Sequence, residues 1–221
     1  MERLSLALFP HKGIRNMFSQ FLVAAGNTDY PNKEKVKTLY DAGVFFFKML
    51  AAHSVDENTV VLRELEKKIP GSSAHDMAEH EEIETEQAKL EKMLEEIYNK
   101  SQAGEDESAL GFKFYFELSR FQRLYFMHMI GEETETQDML WKHFTDEDLV
   151  AMRTEIIANM KPGFFLEWCN FLIPALTPQE RTLILGGIKA NAPADSFEKI
   201  MAVAKKCLHA EDYNAIVNKL N

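Results

Sequence analysis

The feature that most constrains this chain is a set of four long stretches in which apolar residues recur every three to four positions. They run roughly from Pro10 to Ala25, Lys33 to Lys68, Ser73 to Lys100 and Glu107 to about Phe144. That period is the signature of amphipathic helices, each burying one face. The stretches are parted by turn formers: Gly26-Asn27-Thr28-Asp29-Tyr30-Pro31, Pro70-Gly71-Ser72-Ser73 and Ala103-Gly104-Glu105-Asp106. Connections this short force consecutive helices to lie antiparallel, which predicts an all-α fold built on an up-down-up-down four-helix bundle. The scarcity of breakers, 10 Gly and 7 Pro in 221 residues, agrees.

A second series of start signals follows at Thr145-Asp146-Glu147-Asp148, Lys161-Pro162-Gly163, Thr177-Pro178-Gln179-Glu180 and Pro193-Ala194-Asp195. Thr177, with Pro178 at the first helical position and Glu180 three residues on, forms a capping box. The expected division is therefore residues 1–144 for the bundle and 145–221 for a C-terminal helical extension. In the extension Phe164, Phe165, Trp168, Phe171 and Leu172 are expected to pack on the bundle or on a partner, a second copy of the chain included.

Charge narrows the function classes. The net charge of −10 repels phosphate backbones and anionic membrane surfaces, and the longest basic runs, Lys67-Lys68 and Lys205-Lys206, are only pairs. No nucleic acid and no membrane partner is expected. Cys169 and Cys207 stand far apart outside any CxxC pattern, there is no leader-like segment, and no run of 18 apolar residues occurs. A soluble cytoplasmic protein is the expectation.

The chemistry lies on the buried seams, the only positions that meet inside a bundle. The first helix carries His11, Ile14, Phe18, Phe21 and Ala25. The second carries Leu39, Ala42, Phe46, Met49, His53, Glu57 and Val60. The third carries His80, Ile83, Gln87, Leu90, Leu94 and Ile97, and the fourth Phe114, Leu118, Phe121, Tyr125, His128 and Glu132. Two seams thus hold a histidine with a glutamate four residues later, one turn apart on one face. Buried carboxylates with hardly a basic residue nearby call for a neutralising charge, which a bound dication supplies. Imidazole plus carboxylate without thiolate suits iron, manganese or zinc; zinc needs only three or four ligands, so six favour two ions and iron.

The segments HKGIR at His11, HSVDE at His53 and Glu57, EHEEIE at His80 and HMIGEE at His128 and Glu132 resemble the hemerythrin-like HHE cation-binding domain in order, spacing and helix placement, over residues from about 8 to 144. The resemblance implies two non-haem iron ions, oxo- or hydroxo-bridged, with Glu57 and Glu132 as bridging carboxylates and His11, His53, His80 and His128 as terminal ligands. It also implies a small diatomic or peroxide ligand at the iron. Oxygen carriers of that family bear a further histidine four residues before the one matching His80. Here that place is Asp76, which argues against simple oxygen carriage and leaves Asp76, Glu84, His75 or water to complete the shell. The stretch after Lys161 also looks like the helical extension found in some relatives.

Competing patterns are weaker. The pairs His75/Glu79 and His143/Glu147 also fit the four-residue spacing but read as solvated faces, His209 reads as exposed, and Tyr125 as an ordinary buried tyrosine. A ferritin-like centre requires Glu-x-x-His, and no histidine here has a glutamate three residues before it. GxSxG and phosphate-binding glycine loops are absent. The expected function is binding or sensing of dioxygen, peroxide, nitric oxide or iron, more than enzymatic turnover; the alternative is a di-iron oxidoreductase that reduces peroxide, oxidises ferrous iron or donates it.

Overall fold

The structure is a computed structural model that describes residues 3–220. In chain order the elements are α1 (Leu8–Asn27), α2 (Lys33–Asp56), π1 (Glu57–Val61), α3 (Leu62–Lys68), α4 (Ala74–Ala103), α5 (Ser108–Gly131), π2 (Glu132–Thr136), α6 (Gln137–His143), α7 (Asp146–Asn159), α8 (Pro162–Ala175), α9 (Pro178–Asn191), α10 (Ala194–Cys207) and α11 (Ala210–Leu220). The fold is all-α, as the seam pattern predicts. The four long stretches appear as α1, the rod α2–π1–α3, α4, and the rod α5–π2–α6, in alternating directions. Asn32 caps α2 through its side chain, and Gly104 ends α4 in the left-handed conformation at φ 93°, where a Cβ is unfavourable. Among the described residues no helix is long and apolar enough to cross a membrane.

Two compact units emerge. Among the described residues, one comprises 3–7 together with Met17–Ile156; the other comprises Leu8–Asn16 and 157–220. Most of α7, beyond residue 144, thus groups with the first unit, and the opening turns of α1 group with the second.

The first unit has a core of two kinds. One half is aromatic: Phe18 meets Phe46 edge-on at 4.7 Å, Phe21 stacks on Phe46 at 4.5 Å, and Phe21 meets Phe114 at 6.1 Å. Phe18, Phe46 and Phe114 are at most 1% exposed, and burial of each side chain stabilises by roughly 1.5–3 kcal/mol. The seam of α2 differs by one position from the sequence expectation. Ala42 is exposed and Gly43 is buried in its place, because a Cβ at Gly43 would stand 2.2 Å from Leu94 and 3.0 Å from the Phe21 ring. A separate cluster of Val61, Leu62, Leu65, Leu140, Phe144, Leu149 and Met152 joins α3, α6 and α7.

The second unit packs α8, α9, α10 and α11 around Cys169, Ile173, Leu185, Ile200, Ala204 and Ile216. The Thr177 capping box forms as predicted, with both reciprocal bonds to Glu180. Arg181 is buried, donating to the carbonyls of Ile173 and Pro174 and pairing with Asp212 at 3.2 Å. Within this unit Lys12 pairs with Glu180 at 2.6 Å, Asn16 donates to the Phe171 carbonyl at 2.8 Å, and Gly13 lies against the Trp168 ring.

Candidate metal centre

Both His-x-x-x-Glu seams end in the same local irregularity. At Glu57 and again at Glu132 the α-helix widens into one π turn, in which the N–H of Leu62 reaches back five residues to the Glu57 carbonyl and the N–H of Gln137 to that of Glu132. Such turns concentrate at functional sites. Each contains a threonine two residues after the glutamate, and its hydroxyl donates to the carbonyl four residues earlier: Thr59 to Val55 at 2.6 Å, Thr134 to Ile130 at 2.7 Å. Hydroxyl back-bonding of this kind adds a donor where the regular ladder is interrupted and bends the helix. The sequence reading treated both rods as uninterrupted α-helix. The repeated pattern His-x-x-x-Glu-x-Thr was the signal it passed over.

Seen from the glutamates, the centre has two sides. Oε1 of Glu57 lies 3.0 Å from His53 Nε2 and its Oε2 lies 3.5 Å from His80 Nε2. Oε2 of Glu132 lies 3.3 Å from His128 Nε2 and its Oε1 lies 3.9 Å from His80 Nε2. Ligand atoms of Glu57, His80, His128 and Glu132 fall within 4.8 Å of one another, and so do those of His53, Glu57 and Glu132. Two groups therefore share both carboxylates. Of the six sequence-predicted residues, these five come together in the first unit, four of them buried and His53 partly so. His11, in the opening turns of α1, belongs to the second unit and is wholly buried.

The imidazoles are oriented from outside. His80 Nδ1 lies 2.8 Å from Asn58 Oδ1, and His128 Nδ1 lies 2.8 Å from Glu79 Oε2. An oxygen acceptor at Nδ1 keeps the proton there and leaves Nε2 as the lone-pair nitrogen, the tautomer a metal ligand needs. Both Nε2 atoms are buried, turned toward the carboxylates, and make no hydrogen bond of good geometry among the described residues. A cation in their midst is the partner that fits such atoms. Sequence reasoning missed Asn58 and dismissed Glu79 as part of a solvated face. Each is the chain neighbour of a seam residue, Glu57 and His80 respectively.

Burial and the carboxylates together shift the ionisable groups around the site. Burial opposes a positive charge on His128, but the close Glu132 carboxylate, then Glu57 and the Glu79 bond at Nδ1, outweigh this and bring its pKa up to about 9. Burial pushes the Asp56 carboxyl up to about 6, with His53 opposing and Glu57 reinforcing the shift. Tyr125 is fully enclosed. Burial first, then the Glu57 and Glu132 charges, hold its hydroxyl well above the usual range, and its hydrogen bond with Ser54 opposes them. A neutral hydroxyl thus persists beside the carboxylates.

The residues offered to complete the shell separate clearly. Glu84 is exposed, and the side chain of His75 is 72% exposed, 3.5 Å from Glu79 Oε1. Asp76 is buried, but its Oδ2 accepts from the Thr136 hydroxyl of π2 at 2.7 Å; burial raises its carboxyl pKa, Thr136 lowers it and Glu132 raises it further. Both π turns thereby hold α4 through side chains one helical turn apart, Asn58 to His80 and Thr136 to Asp76.

A family model described as the hemerythrin HHE cation binding domain matches residues 8–140, more than half of the chain. No curated protein and no solved structure matches it.

Proposed function

The chain belongs to the hemerythrin HHE cation binding domain family, and from that premise we propose that it is a non-haem di-iron protein that binds or senses dioxygen, peroxide, nitric oxide or iron itself. The observation that carries this reading is the sharing of Glu57 and Glu132 between two histidine groups. Glu57 supports it most directly, since its two oxygens face His53 in one group and His80 in the other, while Glu132 has ligand atoms in both groups. A single ion would need only one of the groups.

In this reading Glu57 and Glu132 would be the carboxylates shared by the two ions, and His11, His53, His80 and His128 would hold them as the remaining ligands. For His11 the support is its complete burial and its place on the α1 seam with Ile14 and Phe18. Two iron ions held this way would supply redox capacity and a place for an exogenous ligand. The chain's own residues do the rest. Asn58 and Glu79 fix the imidazole tautomers, the Tyr125 ring meets that of His128 edge-on at 6.2 Å, and the Tyr125 hydroxyl remains neutral. A cytoplasmic setting agrees with the two free cysteines.

A second reading, an oxidoreductase acting on peroxide or ferrous iron, is favoured by one observation. Asp76, at the position where oxygen carriers have a further histidine, accepts from the Thr136 hydroxyl, so the ligand role of that histidine is not taken up by this carboxylate.

The test is elemental analysis with the near-ultraviolet and visible spectrum of air-exposed protein, for the wild type and for His53→Ala combined with Glu132→Ala. About two irons per chain and oxo-bridge absorption, both lost in the double variant, are expected. A wild type that refuses ferrous iron under anaerobic conditions sinks the proposal. Reversible ligand spectra support binding or sensing; sustained peroxide turnover supports the oxidoreductase.

A further inference from the structure

We infer that Asn58 and Glu79 are positioning residues that make His80 and His128 unequal ligands of the same ion. The inference rests on the ligand assignment above and goes beyond it. Both imidazoles lie in one group with Glu57 and Glu132, and both are held at Nδ1 over the same 2.8 Å. The acceptors differ in charge: an amide oxygen on His80, a carboxylate oxygen on His128. A charge-assisted hydrogen bond is roughly twice as strong as a neutral one. It draws the Nδ1 proton outward and makes Nε2 the stronger electron donor. His128 is therefore the tighter ligand of the pair, and the neutral amide leaves His80 the weaker one.

The placement of the two holders adds a mechanical consequence. Asn58 follows Glu57 directly on π1, and Glu79 precedes His80 directly on α4. The contacts thus run as a chain, from Glu57-Asn58 to His80-Glu79 and on to His128. A shift of α4 moves His80 and the holder of His128 together. The outer end of this chain reaches solvent, since the Glu79 side chain is 34% exposed with its other oxygen toward His75.

The experiment uses two nearly isosteric variants of the full chain with opposite effects on charge. Glu79→Gln keeps an acceptor for His128 and removes the charge; Asn58→Asp adds a charge at His80. Anaerobic ferrous titration against a chromophoric chelator resolves the two binding steps, and the midpoint potential and thermal unfolding are measured on the same samples. Glu79→Gln is expected to weaken one of the two steps by about 10- to 100-fold and to raise the potential. Asn58→Asp is expected to strengthen that same step and lower the potential, and the double variant to return toward the wild type. A merely structural role predicts instead that both variants weaken both steps alike and lower the unfolding temperature. Variants that match the wild type, or that shift in the same direction, overturn the inference alone. A wild type that binds no ferrous ion overturns the ligand assignment, and this inference with it.

Discussion

The two halves of the bundle solve the same packing problem in opposite ways. Around Phe18, Phe21, Phe46 and Phe114 the helices are regular and the contacts are ring on ring. Around Glu57 and Glu132 the same rods widen into π turns and enclose carboxylates and imidazoles. The first half stabilises by burial alone. The second encloses groups that water solvates better, so its stability depends on what neutralises them. The aromatic half therefore carries the folding of the bundle, and the polar half holds its enclosed charges at some cost in stability.

This contrast can be broken experimentally, most strongly in the aromatic half. Phe46→Ala is expected to destabilise by about 3–5 kcal/mol in denaturant unfolding while leaving the metal content per folded chain unchanged. Loss of metal before loss of helix in that variant means that the two halves are not separable.

A smaller effect is expected from removing metal. Saturation at 100 times the dissociation constant stabilises by about 2.7 kcal/mol, so a chelated sample should unfold correspondingly earlier. Amide exchange should rise in π1, π2 and the opening turns of α4, and stay level around Phe21 and Phe114. A uniform rise along the chain contradicts the division.

Next come the threonines of the π turns. Thr59→Val and Thr134→Val each remove one hydrogen bond, worth about 1 kcal/mol, and are expected to loosen metal binding as well. A loss of stability with metal affinity intact means that the hydroxyls hold the helix and not the centre. Smallest and most local is Thr177→Ala, which removes the capping box of α9 at a cost of about 1 kcal/mol. It should leave the metal spectrum unchanged, which sharpens the contrast by showing a part of the chain the centre does not feel.

Much of this was legible in the sequence because helical periodicity reports burial. His11, His53, His80 and His128 are buried or nearly so, as are Glu57 and Glu132, each where its seam predicts. The capping box at Thr177 was equally plain. Ala42 failed because the seam shifts to Gly43 where Phe21 and Leu94 approach closely, a matter of space that period alone does not encode. The start of α11 after Leu208 and His209 gave no signal, having neither glycine nor proline. The π turns escaped because the reading assumed one residue spacing throughout. Glu79 escaped because a side chain can send one oxygen inward and the other to solvent, and pattern reading assigns a residue to only one face.

The π turns have a further consequence, which concerns phase. A residue in an α-helix turns the chain by about 100°, so one extra residue accommodated in a wider turn resets which way every later side chain points. Upstream of Glu57 the rod directs Phe46, Met49 and His53 to one interior; downstream it directs Val61, Leu62 and Leu65 to another, shared with Leu140 and Phe144. Each π turn is thus a coupling between two helices of different rotational setting joined end to end. One continuous rod serves the candidate metal centre and the hydrophobic cluster beyond it, with neither having to accept the other's angle.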